Sequence, residues 1–262
     1  MNTPLQGRCT LVGAGPGDPE LLTLKAVKAI ASATVLLVDD LVNDAVLEHA
    51  SPSARIVHVG KRGGCKSTPQ AFIDKLMITA VQEGEHVVRL KGGDPFIFGR
   101  GGEEVEHLRA AGIDVEVVNG ITSGLAGMSS LGAPLTHREH AHGVVFVTGH
   151  AKPGDSGTDW AQLAATAQQA KLTLVIYMGV SSLEHITEGL LSGLPSHTPV
   201  AVVQNASLPT QRQALTTLGQ LVSTVHTQQL QSPSIIVVGD VVQGARALHQ
   251  PQEAPAPSQR TA

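Results

Sequence analysis

The sequence predicts an α/β fold. Short β-branched runs alternate with helical patterns, and several of those runs end directly on glycine-rich loops. At 262 residues, 42% hydrophobic and 15% charged, the chain is long enough to bury a good core in one large or two small domains.

Cys9-Thr10-Leu11-Val12 reads as the first strand, stopped by Gly13-Ala14-Gly15-Pro16-Gly17-Asp18. Asp18 is placed to cap a helix with Pro19 at its first position, where no N–H donor is needed. Leu21, Leu24, Val27 and Ile30 recur at three-residue steps and are expected to form that helix's buried stripe. Further strands are expected at 33–38, ending on Asp39-Asp40, at 55–59 and at 86–90. Between the last two, a helix capped by Thr68 carries Phe72, Ile73, Leu76, Met77 and Ala80 on one face and stops at Gly84. A helix at 103–111 and a strand at 115–118 follow, and the Asn119-Gly120 turn is the candidate boundary between domains 1–119 and 120–248. The second half carries strands at 144–148, 172–177, 200–204 and 235–238, an alternating stretch at 213–218, and helices near 160–170 and 183–191. The segment 249–262, rich in Pro, Ala, Gln and Ser, has almost nothing to bury and is expected to be disordered.

The net charge of −4 gives no cationic field for nucleic acid, and 2% aromatics leave little for base stacking. No apolar run approaches the ~20 residues a membrane span needs, and the N-terminus lacks a signal-peptide core, so a cytoplasmic location is expected. Cys9 and Cys65 are far apart and make no metal-ligand spacing, which favours inert thiols.

Gly13-Ala14-Gly15-Pro16-Gly17 superficially resembles a nucleotide-binding loop, whose amides would face a phosphate. Its spacing is GxGxG rather than GxGxxG, and Pro16 removes a donor, so a tight strand-to-helix turn is the competing reading. Gly92-Gly93-Asp94-Pro95 is more telling, because paired glycines let the backbone approach a ligand and a carboxylate there suits a ribose or an amino-acid group. Phe96-Ile97-Phe98 adds apolar surface, and Arg100, framed by glycines before a helix, is placed to pair with an anion. Asp39 and Lys61-Arg62 end strands where α/β sheets gather ligands. His137, His140 and His142 cluster, but their spacing fits no zinc pattern and no metal is expected. Met178 ends a strand with a soft side chain suited to an adenine or a sulfonium, whereas Tyr177 and Trp160 are expected in the core.

Together these segments resemble the tetrapyrrole (precorrin) methyltransferase family. The resemblance runs collinearly from about Cys9 to Leu248, through VGAGPGDPELLTLKA from Val12, Asp39-x-Leu41-Val42, and Val59-Gly60-Lys61-Arg62. It continues through VVRLKGGDPFIFGRGGEE from Val87, GITS from Gly120, PLTHR from Pro134, TLVIYMGV from Thr173 and PSIIVVGDVV from Pro233. It implies two α/β domains, each a sheet flanked by helices, with S-adenosylmethionine in the cleft between them, in a homodimer. The implied activity is C-methylation of uroporphyrinogen III at C2 and C7, with S-adenosylhomocysteine as by-product and no dehydrogenase–chelatase half.

By the same resemblance, cofactor contacts fall on Pro16, Gly92, Gly93, Asp94, Ile97, Thr122, Ser123, Met178 and Ala206. A proton acceptor falls on Asp39, a donor on Lys61 and a substrate-handling residue on Arg100; the substrate's eight carboxylates suit Arg62, His137 and Arg138 as further partners. Where the family often has Tyr-Asp-Arg this chain has Val38-Asp39-Asp40, which sets a second, repelling carboxylate beside the presumed base.

Overall fold

The structure, a computed structural model, describes residues 7–60, 68–151, 154 and 157–249. Lys61, Arg62 and Cys65 lie outside the described residues, as does the expected tail from Gln250 onward.

The first half begins with β1 (Arg8–Gly13), α1 (Leu24–Ser32), β2 (Val35–Val38) and β3 (Arg55–His58). It continues with α2 (Gln70–Gln82), β4 (His86–Lys91), α3 (Gly101–Ala110) and β5 (Val115–Val118). Its five strands form a sheet in the order β3-β2-β4-β1-β5, every pair parallel. Parallel strands covered on both faces read as continuous apolar runs, and β2 (VLLV) is buried throughout. One apolar cluster, around Leu11, Met77 and Leu108, lies on one face, and another, around Ile30, Leu36 and Leu90, on the other.

The second half contains α4 (Ser123–Ser130), β6 (Gly143–Thr148), α5 (Trp160–Ala170), β7 (Leu172–Tyr177) and α6 (Leu183–Leu191). It ends with β8 (Pro199–Gln204), β9 (Arg212–Thr217), α7 (Leu221–Thr227), β10 (Ser234–Val238) and α8 (Val242–His249). This sheet is mixed, in the order β6-β7-β10-β8-β9, with β10 antiparallel to both neighbours. The alternating stretch near 213–218 is β9, and Trp160 and Tyr177 are core residues, as expected.

Four local expectations are corrected. Asp18 does cap, accepting from the Glu20 amide, but only a single 3-10 turn at Pro19–Leu21 follows. Helix α1 starts later, capped by Thr23, and its buried positions are Ala26 and Ile30; Leu24 is 82% exposed. The predicted three-residue stripe therefore ran through two elements of different period. On α2 the cap position is Pro69 rather than Thr68 and makes no side-chain bond, and Phe72 is exposed while Ile73, Met77 and Ala80 are buried. Finally, α8 includes His249, the first residue of the segment expected to be disordered.

Among the described residues, no helix is long and apolar enough to cross a membrane. Chemical denaturation checks the revised α1 face: Ile30→Ala is expected to cost about 2–5 kcal/mol, and Leu24→Ser within about ±0.5 kcal/mol.

Candidate active site at the edge of two sheets

Because β1, β2 and β4 are adjacent and parallel, their C-terminal loops emerge side by side. Gly15 and Gly93 exchange backbone hydrogen bonds, with Gly15 N donating at 3.2 Å and Gly93 N at 2.7 Å. The Ala14 amide donates to Lys91 O at 2.8 Å, and the Asp18 amide to the Ser207 hydroxyl at 3.0 Å. With Pro16 lacking a donor, the amides of Ala14, Gly15 and Asp18 are thus engaged within the protein. The first glycine loop acts as a packing device here, and a phosphate-cradle reading loses three of its donors.

The glycines have a steric cause. A Cβ on Gly13 would sit 2.5 Å from Gly120 N, and one on Gly120 would sit 2.2 Å from Gly93 O. Gly93 has φ +67°, and a Cβ built there meets only Thr122 Cα, at 3.7 Å, so this backbone borders open space. Asp94 is buried, and its carboxylate accepts from Phe96 N (2.8 Å), Asn119 Nδ2 (3.0 Å) and Gly120 N (3.1 Å). Its side chain ties the β4 loop to the start of the second half.

The second half packs against these loops. The Tyr177 hydroxyl bonds Thr122 Oγ1 at 2.7 Å and accepts from Gly124 N at 2.9 Å, so residues 122–124 are fixed to the end of β7. The Phe98 ring lies 5.0 Å from the Tyr177 ring, and Ile97 packs against the cluster containing Tyr177 and Ala206. A Cβ on Gly17 would meet Leu208 at 2.6 Å, which sets the β1 loop against the loop after β8. Phe98, Arg100, Met178, Asn205 and Ser207 all hold positive φ, a conformation side chains rarely adopt and one that gathers at ligand sites. Met178 is 46% exposed at the end of β7.

Asp39 stands at the end of β2, where its amide donates to Leu90 O at 3.1 Å. Arg89 Nη2 donates to its Oδ2 at 3.2 Å, and Lys91 Nζ lies 4.0 Å from the same oxygen. Behind them sits Glu104, with no exposure: Arg89 Nε is 3.1 Å from Oε1, and Lys91 Nζ is 3.1 and 3.0 Å from Oε1 and Oε2. Burial, with the Arg89 charge adding to it, pulls the Lys91 ammonium below the usual lysine range, against the pull of Glu104. The neighbouring Asp40 donates its amide to Asp39 Oδ1 at 2.9 Å. The feared carboxylate repulsion is therefore met by two buried cations. Gly60 owes its lack of side chain to this turn, since a Cβ there would lie 2.3 Å from Asp40 N.

Sequence reasoning missed this cluster. Its signal was present: charges at positions 89 and 91 of an otherwise apolar buried strand share one face and need an acid. Asp39, Gly92, Gly93, Asp94, Ile97, Thr122, Met178, Ala206 and Pro16 fall on the loops just described, and Ser123 is the first residue of α4. Arg100 is exposed and forms a 2.5 Å ion pair with Glu103, three residues on, which raises its pKa; that carboxylate is the anion it meets here. His137 and Arg138 are exposed on a loop closed by paired bonds between His137 and Ala141. There the close group is His137, Glu139 and His140, not His142, with one ligand atom of each within 4.8 Å of the others. His137 Nδ1 accepts from Glu139 N at 3.2 Å.

Residues 8–222 match the family described as Tetrapyrrole (Corrin/Porphyrin) Methylases. The chain belongs to that family. It is 54% identical to a uroporphyrinogen-III C-methyltransferase of Pseudomonas aeruginosa over 90% of this chain and 95% of that protein. It is 46% identical to the siroheme synthase of Azotobacter vinelandii, over 90% of this chain and half of that longer protein. Its structure resembles the uroporphyrin-III C-methyltransferase of Thermus thermophilus complexed with S-adenosyl homocysteine: TM-score 0.77, 41% identity, 91% of this chain and 100% of that one.

Burial chiefly, with Glu104 adding and Arg89 opposing, pushes the Cys9 thiol in β1 up to about 12 from 9.0. The folded state thus holds that proton more tightly; the stabilisation is complete below pH 9 and is lost as pH rises toward 12. Between pH 8 and 10.5, the parent is expected to lose roughly 2 kcal/mol more stability than Cys9→Ala in urea unfolding. Equal losses would contradict the assignment.

Proposed function

We propose that this chain transfers two methyl groups from S-adenosylmethionine to C2 and C7 of uroporphyrinogen III, giving precorrin-2. The relatives named for this activity support the reading. The observation that carries it is the Asp39 carboxylate, held by buried Arg89 at the end of a strand whose neighbours carry the glycine loops packed against the second half.

The residues present fit the methyl donor. Gly93 borders open space, Met178 offers an exposed thioether, and Ile97 supplies apolar surface. In this reading Pro16, Gly92, Gly93, Asp94, Ile97, Thr122, Ser123, Met178 and Ala206 hold the donor, Asp94 through its backbone because its carboxylate is engaged. Bound there, S-adenosylmethionine supplies an electrophilic methyl on a sulfonium.

The macrocycle's electron-rich ring carbons are the nucleophiles, and the protein's task is to orient them for in-line displacement. A ring carbon that gains a methyl leaves the macrocycle cationic, and loss of a proton restores neutrality. Asp39 takes that proton, and Lys61 returns or steers one. Lys61, Arg62, Arg100, His137 and Arg138 pair with the substrate's carboxylates, Arg100 by exchanging or sharing its bond to Glu103. The enzyme acts as a cytoplasmic homodimer, in keeping with the family resemblance.

Incubation with uroporphyrinogen III and methyl-labelled donor is expected to give a product carrying two labelled methyl groups; an unlabelled macrocycle would contradict the reading. Asp39→Asn is expected to bind S-adenosylhomocysteine as the parent does while losing about 10²–10⁴ in turnover. Unimpaired turnover would remove Asp39 as the base.

A further inference from the structure

Glu104 belongs to none of the cleft loops. It lies on α3, wholly buried, and three donors converge on its Oε1: Arg89 Nε at 3.1 Å, Lys91 Nζ at 3.1 Å and Gln70 Nε2 at 3.0 Å. The same Gln70 nitrogen donates to Asp74 Oδ1 at 2.9 Å, and Asp74 Oδ2 lies 2.6 Å from the half-exposed His107. Polar contacts therefore run from the surface of α2 and α3 across the sheet to Asp39.

Arg89 cannot turn away from this arrangement. Its Nη1 donates to Leu37 O (3.4 Å) and Leu90 O (3.1 Å), while Nε and Nη2 are divided between Glu104 and Asp39. Two cations thus serve two carboxylates, one fully buried and one 36% exposed at the cleft. Glu104 and Asp39 compete for the same positive charge.

We propose that Glu104 is a positioning residue for the methyl-transfer reaction, acting through Arg89 and Lys91 to set how firmly Asp39 is held as a carboxylate and how readily it takes a proton. The inference rests on the reading of Asp39 as base. Removing the Glu104 charge turns the whole field of both cations onto Asp39, which makes it a weaker base. Removing one of Glu104's hydrogen bonds while keeping its charge does the reverse, since Glu104 then draws harder on the cations. Among the described residues, the other charged or titratable groups around Asp39 are Asp40 beside it, and Asp44 and His58 lining the same small hollow. All three are unchanged in the variants below.

The test compares Glu104→Gln, Glu104→Asp and Gln70→Met in steady-state turnover of uroporphyrinogen III, with kcat/KM profiled against pH and S-adenosylhomocysteine affinity measured by calorimetry. The substrate's own carboxylates titrate alike in every variant, so differences between profiles belong to the protein. Glu104→Gln is expected to keep its S-adenosylhomocysteine affinity within about twofold and its KM within about threefold, while kcat falls about twofold or more. Its acid limb moves to lower pH by about half a unit or more. Glu104→Asp restores most of kcat and the limb. Gln70→Met, milder because it removes no charge, moves the limb the opposite way, to higher pH, and decides the matter if Glu104→Gln does not fold.

An acid limb unmoved in Glu104→Gln, equal losses in the Gln and Asp variants, or a Gln70→Met limb that stays put or moves lower would each overturn the proposal. Asp39→Asn separates the two levels. If it is fully active the base reading itself fails, whereas an inactive Asp39→Asn beside an unmoved Glu104→Gln limb sinks the positioning role alone.

Discussion

A carboxylate with no access to water has to be matched by charge, and Glu104 is matched by Arg89 and Lys91 from a strand in the middle of the first sheet. Breaking such a group by removing one partner costs about 3–5 kcal/mol, because the remaining charge stays buried without compensation. The arrangement therefore fixes three things together: α3 against the sheet, the side-chain face of β4, and the carboxylate of Asp39 at the end of β2. It also acts on Cys9 in the neighbouring strand, whose thiol is kept protonated chiefly by burial and further by the Glu104 charge.

The second constraint is steric. Gly13, Gly93 and Gly120 approach so closely that any side chain on Gly13 or Gly120 would strike backbone. Asp94 secures the same junction by accepting from Asn119 and Gly120, and the Tyr177 hydroxyl secures its far side through Thr122 and Gly124. Both sets of contacts lie where the chain passes from the all-parallel sheet to the mixed one. The loops that carry Asp39, Gly93 and Met178 consequently meet at a junction that backbone packing holds in place.

Much of this was legible in the sequence. Strand–loop–helix alternation placed every strand within a residue or two, and Val115–Val118 and Leu172–Tyr177 without error. The stripe from Leu21 to Ile30 failed because a 3-10 turn at Pro19–Leu21 interrupts the period, a change of pitch that hydrophobic spacing alone does not register. The glycines of the first loop were legible as special but not as to why: amide engagement and backbone contact depend on partners some 80 and 110 residues away, at Gly93 and Gly120. Arg89, Lys91 and Glu104 went unread for a related reason. Each looks like an ordinary charged residue until sheet order puts them on one buried face, with Asp39 from the adjacent strand.

On the proposed function, one cleft joins the methyl-donor pocket to a carboxylate held from behind by buried charge. A crystal structure of the protein with S-adenosylhomocysteine tests it most directly. The ligand is expected between the Gly92–Asp94 backbone and the Met178–Ala206 side, its sulfur facing the Asp39 carboxylate, with the Arg89–Asp39 pair intact. A ligand seated elsewhere, or an Asp39 turned out of the cleft with that pair broken, would contradict it.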